Sequence, residues 1–502
     1  MTGIKSLTLR KPLYKLSLLL ALTGAGMAAA ETLTVGLDAD PPRLDPALST
    51  AFVDRQVMNQ IFDKLVDIDE KLKVVPMVAK SWKVTNGGLT YTFKLNTGIK
   101  FADGTPLDAA AVKYSIERNM TLDGSARKGE LGSVKEVTAP DAATVVITLK
   151  APYGPLLAVL SDRAGMIVSP TAAKKAGADF ANSPVGSGPF SFVSRKRQDN
   201  ITLKANASYW RGKPKLDGIV YRPFPDGDVR VANLLSGAVQ VITPVDPKDI
   251  ATIQKNSKLD VTTFQGLGFQ GVWMNVTRPP FNNKLVRQAF SATLDRDAIN
   301  KVVFLNTVKP AAGPFPPGTP AYSGSIKVQA ADIALAKKKL TQAGKPGVPF
   351  TLLTSPGAVN AQLAQLFQAM ASQAGFAVKI ETVEFGTLLD RADKRNYDAV
   401  MLGWSGRPDP DGNIYDFFHT GGVNNQAGYS DPTIDALLEK ARAQNAMSAR
   451  TATYNVALGK ILDDSPYAFT YFSSNTIGAV KTLSGLKLIP DGILRFYTAD
   501  LN

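Results

Sequence analysis

From about residue 280 the apolar residues of this chain switch repeatedly between two periods. Helical spacing marks 284–294, 333–343, 361–375, 387–395, 432–446 and 449–462. Short strand-like runs at 350–354, 378–383, 399–403 and 468–472 stand among them. A one-faced helix needs an apolar sheet to cover, so this alternation predicts an α/β lobe built on a mixed sheet. The earlier half alternates at 32–37, 90–95 and 144–149, with further short strands at 201–204, 218–222 and 272–276 and helical spacing at 54–65 and 108–119. The Pro/Gly-rich stretch 309–324 reads as a long surface loop. With 502 residues the chain suits about three domains or one large bilobed unit.

Composition narrows the chemistry. Cysteine is absent, which removes disulfides, thiolate metal sites, a cysteine nucleophile and a lipid-modified N-terminal cysteine. His419 is the one histidine, so a histidine-rich metal site is excluded and any Ser/His/Asp triad would have to use it. The first thirty residues carry Lys5, Arg10, Lys11 and Lys15, an apolar run from Leu16 to Leu22, and Ala28-Ala29-Ala30. This is the pattern of a cleaved secretory signal, with the mature chain starting near Glu31. The apolar run is short of the ~20 residues that span a bilayer. The mature protein is therefore expected to be soluble, exported and periplasmic. The leader holds four of the fourteen net positive charges, and the remaining basic residues are scattered, with Lys337-Lys338-Lys339 the densest run. No nucleic-acid partner is expected; the mild excess suits an anionic small molecule or solubility.

Isolated motifs carry little. Gly266 to Gly271 matches GxGxxG, but Val272-Trp273-Met274-Asn275-Val276 then reads as a strand where a dinucleotide site needs a helix N-terminus. Ser125-Ala126-Arg127-Lys128 matches SxxK in a loop-like stretch with no KTG after it. Asp409, Asp411 and Asn413 resemble half a calcium loop, with the glycine misplaced at Gly412 and no twelfth-position glutamate. No catalytic acid, base and nucleophile assemble, so no enzyme activity, cofactor or metal is expected.

Four stretches in order carry a more specific signal. Residues 76–119 contain "SWKVTNGGLTYTFKLNTGIKFADGTPLDAAAVKYSIERN". Residues 186–237 contain "GSGPFSFVSRKRQDNITLKANASYWRGKPKLDGIVYRPF". Residues 275–320 contain "RPPFNNKLVRQAFSATLDRDAIN", and 397–438 contain "YDAVMLGWSGRPDPDGNIYDFFHTGG". Each also has a local reading: Gly87-Gly88 turns a hairpin, and Asp103-Gly104-Thr105-Pro106 turns into the helix from Asp108. Together they resemble the peptide/opine/nickel family of ABC-importer solute-binding proteins across the whole mature chain.

The resemblance implies a bilobed periplasmic-binding-protein fold with mixed sheets and a hinge. Lobe I would comprise 31–75, 182–278 and 480–502, with an extra subdomain at 76–181. Lobe II would be 279–479, and the crossings near 278 and 480 would act as the hinge. Such a protein, expected to be a monomer, closes on a peptide or peptide-like solute and delivers it to a membrane permease. In the family's peptide binders an aspartate shortly after "GW" anchors the ligand's α-amino group. Here the run is Gly403-Trp404-Ser405-Gly406-Arg407-Pro408-Asp409. One alignment puts Arg407 at that place, which would repel an ammonium and attract a carboxylate or phosphate. An alignment shifted by two puts Asp409 there. Arg163 falls where the extra subdomain borders the cleft; in the nickel-binding relative an arginine at the matching place meets the carboxylates of the metal's chelator. Trp404, Ser405 and Gly406 would line the cleft beside Arg407, with Trp404 as a flat wall and Phe52 as a second. The arginine pair makes an acidic opine-like or sugar-phosphate-like solute an alternative. From another class, the rival is an exported serine hydrolase using Ser125 and Lys128.

Overall fold

The computed structural model describes residue 3 and residues 31–501; the leader, with its charged start and alanine run, lies outside the described residues. The strictly alternating segments form the strands Thr32–Leu37, Thr90–Leu95 and Thr144–Leu149 at the bounds the pattern predicts. The helix expected at 108–119 is Ala109–Thr121. It begins where the Asp108 carboxylate accepts the N–H of Ala111 at 3.0 Å, a partner for one of the helix's otherwise unmatched donors. Asn283, Asp295, Asp332 and Asp431 start later helices in the same way. The helix expected at 54–65 is Phe52–Ile61, and Leu65 is buried from extended chain instead.

A mixed sheet of eleven strands among the described residues runs through the molecule. Its order is Phe376–Thr382, Val348–Thr354, Ala399–Met401, Leu259–Met274, Tyr467–Val480, Val241–Thr243, Thr32–Leu37, Gly218–Pro223, Asn200–Ala205 and Phe190–Lys196, with Lys309–Pro310 paired to Tyr467–Val480. The two long central strands belong to both halves. Residues 259–265 pair with 474–480, and that stretch of Tyr467–Val480 also pairs with Val241 and Ile242. Residues 269–273 pair with 467–472, and 272–274 also pair with Ala399–Met401. The register shifts between Gln265 and Phe269. The register shift at 266–268 and residue 473 thus fall where the ribbon's outer partners change from Val241 and Ile242 to Ala399–Met401.

Side-chain alternation along Leu259–Met274 divides the second half's core in two. Val272 and Met274 join Phe281, Phe290, Phe350 and Phe376 on one face. Phe269 and Trp273 join Phe417, Phe418, Tyr467 and Phe469 on the other. The GxGxxG run lies wholly inside this strand, so no helix N-terminus faces it. The stretch 309–324 is not a surface loop: Ala311, Phe315 and Ala321 are buried in the second of these clusters.

Residues 76–181 carry a separate antiparallel sheet in the order Ala79–Thr85, Thr90–Leu95, Thr144–Leu149, Val134–Asp141. Its first hairpin turns through Asn86, Gly87 and Gly88, all at positive φ, which only the glycines adopt without a steric cost. Tyr91, Phe93, Val145 and Ile147 pack from this sheet onto Val112 and Ile116.

The chain's end seals the first half. Gln56 donates to the Gly492 carbonyl at 2.8 Å and accepts from the Leu494 N–H at 2.9 Å. Gln60 does the same with Leu494 and Phe496.

Candidate ligand-binding cleft

The loop 403–410 reaches its position because its backbone is stitched to the central ribbon. Phe269 and Trp404 form an isolated antiparallel bridge, with N–H to carbonyl distances of 3.1 and 2.9 Å. Gly406 sits at φ +83 against the backbone of Leu267, where a Cβ would collide. Asn413 then fixes the loop: its Oδ1 accepts from the Arg407 N–H at 2.8 Å and from Trp404 Nε1 at 3.1 Å, and its amide donates to the Arg407 carbonyl at 3.0 Å.

This loop and the helix Asp411–Phe418 face the segment 153–162 across a narrow cleft. Tyr153, Asp162, Trp404, Arg407, Asp416 and Arg442 are among its lining. The Arg407 guanidinium lies over the Trp404 ring, 4.2 Å from its centre, and donates to the Gly406 carbonyl at 2.8 Å. Its Nε is 3.5 Å from Asp162 Oδ2. Ser405 Oγ is 3.5 Å from the same guanidinium.

Behind Arg407 stands a buried ionic cluster. Asp162 accepts from Arg55 Nε at 3.1 Å and lies 3.9 Å from Arg163 Nε. Arg127 pairs with Glu130 and donates to the Ser49 carbonyl at 3.1 Å. Asp54, fully buried, accepts from the Ser49 hydroxyl that Arg163 also reaches, so Arg55, Arg127, Arg163 and Arg407 stand among three carboxylates, Asp162, Glu130 and Asp54. Burial pushes the Asp162 carboxyl up, but Arg55, Arg163, Arg407 and Arg127 together hold it well below the usual carboxylate range. Burial, helped by Arg55 and Arg127 and opposed by Asp162, brings Arg407 down to about 10. Burial first and then Arg127 hold Arg163 well below its ordinary value. Asp162 Oδ2, Arg55 Nη1, Arg127 Nε and Arg163 Nε are buried without a hydrogen-bond partner among the described residues.

The structure brings Trp404, Ser405, Gly406 and Arg407 together beside the cleft. Arg163 is 2% exposed, donates to Ser49, and is not among the cleft's lining residues; it acts behind Asp162. Phe52 lines a second cavity of about 410 Å³ with Asp38, Gln56, Pro244 and Asn475. Asp409 is held bidentately by Arg450 at 2.8 and 2.5 Å, and Asp411 by Arg442 at 3.1 and 2.7 Å, so neither is available to a calcium ion. Among the described residues no group of acidic and histidine side chains could hold a metal. His419 stacks on Tyr415 and bonds the Thr420 carbonyl. Ser125 donates to the Asn119 carbonyl at 2.6 Å and Lys128 is exposed beside Asp123, so the SxxK pair does not assemble. Asp162, Arg55 and Asp416 were not singled out from sequence. The one available signal was the Asp162-Arg163 neighbour pair; Asp416 lies on the helical face of Gly412, one turn on.

Residues 73–425 match the description "Bacterial extracellular solute-binding proteins, family 5 Middle". The chain belongs to this family. As a family 5 protein it resembles the glutathione-binding protein GsiB of Pectobacterium atrosepticum, 30% identical over 495 residues and 96% of each chain. The GsiB of Escherichia coli strain K12 is also 30% identical, over 98% of this chain and 99% of that one. In structure it is similar to the periplasmic binding protein DppA of Helicobacter pylori in complex with the peptide STSA. The TM-score is 0.87 at 28% identity, covering 94% of this chain and 98% of that one. The binding protein AgaA with agropinic acid, from A. tumefacien R10, gives 0.85 at 29% identity, covering 94% and 99%. This family 5 chain is thus a solute-binding protein of the kind that serves ABC importers, with the bilobed mixed α/β fold of periplasmic binding proteins.

Proposed function

We propose that the chain captures a peptide or peptide-like solute bearing an anionic group, held by Arg407 between two closing lobes, and presents it to ABC permease subunits at the inner membrane. The observation that supports the anionic group is the surplus of cations behind the cleft: Arg55, Arg127, Arg163 and Arg407 stand among three carboxylates, Asp162, Glu130 and Asp54. Desolvating surplus cations together is costly unless a counter-charge arrives, and a carboxylate matches the guanidinium fork. Asp409 does not compete for the role of ligand anchor, because Arg450 occupies both its oxygens. The same surplus favours, as a second reading, an acidic opine-like solute, and AgaA, of this fold, is in complex with agropinic acid. The lobes would hinge where the ribbon changes halves, at 266–268 and 473, in place of 278 and 480. The protein would be a monomer without catalytic activity, exported to the periplasm by removal of the leader before Glu31.

Native mass spectrometry of protein purified from cells reads the retained solute directly. Titration calorimetry of that solute then tests Arg407→Ala: affinity should fall by ~2–5 kcal/mol, about 30-fold to several thousand-fold, with the free protein still folded. Unchanged affinity removes Arg407 from the site. Small-angle scattering should show a smaller radius of gyration at saturation. N-terminal sequencing of the exported protein should begin at or beside Glu31; a retained Met1 in a membrane fraction refutes the export reading.

A further inference from the structure

The segment 76–181, with its separate sheet, meets the second half of the chain at an edge outside the cleft. The partner there is the elbow between the helices Pro432–Ala443 and Met447–Asp464. Gly154 donates its N–H to the Arg442 carbonyl at 3.1 Å. That carbonyl stands in the last turn of Pro432–Ala443, where a helix has no partners of its own for its carbonyls, so the bond comes from across the gap. A Cβ on Gly154 would come 2.7 Å from the Gln444 carbonyl oxygen and 3.5 Å from Arg450 Cδ and Nη1. These three nearest atoms all belong to the second half. Gly154 is not at positive φ, so its missing side chain serves the close approach and not the turn. Gly88, in the first hairpin's turn, faces the same elbow: the three atoms nearest to a Cβ there, at 3.0, 3.3 and 3.6 Å, are all in the Asn445 side chain. The Arg442 guanidinium, held by Asp411, completes the contact 5.2 Å from the centre of the Tyr153 ring. Tyr153 and Arg442 line the cleft, but Gly154, Gln444 and Asn445 are not among its lining residues.

This edge is polar although the bodies on either side are apolar inside. Tyr91, Phe93, Val145 and Tyr153 belong to the core of 76–181, and Phe417, Ile434, Tyr454 and Ala457 to the core beneath the elbow. Among the described residues no apolar cluster takes side chains from both 76–181 and 266–473. A shared apolar core would resist separation. A backbone bond and a glycine laid against a carbonyl part at small cost, because water replaces each partner.

We infer that Gly154 and the segment 442–445 form a latch that holds the two lobes shut before any solute is bound. This rests on the reading of two lobes that hinge at the ribbon. Latch and solute then bias one equilibrium, so the solute need not supply the whole free energy of closure. One hydrogen bond shifts that equilibrium by only about tenfold, so the latch yields and the open form stays accessible to an entering solute.

The chain has no cysteine, so two can be introduced for spin labels: Lys135→Cys in the segment 76–181 and Ala436→Cys on the helix Pro432–Ala443, both exposed. Electron–electron distances are read for the mature full chain, once native mass spectrometry shows it free of retained solute. The labelled pair is compared with Gly, Ala and Val at position 154. With Gly154 the separation of this structure should be populated. Gly154→Ala should lower the ratio of that closed form to a wider one about tenfold, and Gly154→Val should lower it further. Both should melt close to the parent, since the added carbons press on the other half and not on their own. Closed and open forms in unchanged proportion across the three proteins, or a parent found only at the wider separation, overturn the latch and leave the moving lobes standing. A single separation, that of this structure, in all three would overturn the hinge and the latch together.

Discussion

Asp162→Asn should lower the stability of the free protein while making it respond more strongly to an anion. In the native state this one carboxylate, 8% exposed, meets Arg55 at 3.1 Å, Arg407 at 3.5 Å and Arg163 at 3.9 Å. Neutralising it leaves Glu130, paired with Arg127, and Asp54, beside Arg163, among the four guanidiniums, and takes the only carboxylate in direct contact from Arg55 and Arg407 among the described residues. Breaking a buried ion pair from one side costs about 3–5 kcal/mol. With an unfolding entropy of roughly 2 cal/mol/K per residue over about 470 residues, each kcal/mol is worth roughly 1 °C, so the expected loss is about 3–5 °C. The pH dependence has a definite sign. The folded carboxyl titrates well below its unfolded value of about 3.9, so its stabilisation is present above that value and lost only as pH falls through the lower one. The deficit should thus be full at pH 7 and shrink in strong acid. Scanning calorimetry at pH 7, with and without the solute identified by mass spectrometry, reads both effects. The variant should regain more from an anionic solute than wild type does, because the cluster's surplus of positive charge has grown. A melting temperature within 1 °C of wild type, or a smaller gain on adding the solute, would refute the claim that Asp162 balances Arg55 and Arg407.

Two further outcomes follow from the geometry. Gly406→Ala should cost ~1–3 kcal/mol through positive-φ strain and should weaken solute binding at the same time, since the Cβ drives the Trp404–Arg407 loop off Leu267; a variant with wild-type melting and affinity would remove that contact from the site. Asp63 is buried, accepts hydrogen bonds from Ser187, Tyr209 and Trp210 at 2.9 Å, and is raised by burial to about 6. Its charged form is disfavoured in the fold, so its contribution to stability falls as pH rises from about 4 to 6, by ~3 kcal/mol. Urea unfolding should show wild type losing ground to Asp63→Asn across that interval, and a constant difference would sink the assignment.

Much of the fold was legible because it depends on short-range pattern. Thr90–Leu95 alternates strictly and is a strand at those bounds, and Asp108 starts a helix where a cap should stand. Position 309–324 was misread because proline and glycine mark chain reversal, not exposure; Ala311 and Phe315 carried the burial. The register shift at Gly266–Gly268 lies inside one uninterrupted strand, where composition shows no linker, so the sequence offered no sign of it. Trp404 and Arg407 reach the cleft in one short loop, which is why a single stretch of sequence holds both. Arg55 and Asp162 come from distant segments, and only the folded chain shows that they form a pair behind Arg407.

The seal made by the chain's end bears on when the protein can fold. Gln56 and Gln60 find their partners 434 to 438 residues later, at Gly492, Leu494 and Phe496. The strand Thr32–Leu37 likewise pairs with Gly218–Pro223 and Val241–Thr243, and the central ribbon joins residues some two hundred positions apart. The contacts with 492–496 cannot form until the end of the chain has been made, and closing loops this long slows folding. The first helix therefore stays unsealed until the last residues appear. It also means that a chain cut short before Ile489 leaves the first helix with its glutamines unanswered, and such a fragment should be cleared by proteolysis before it accumulates as a half-built jaw.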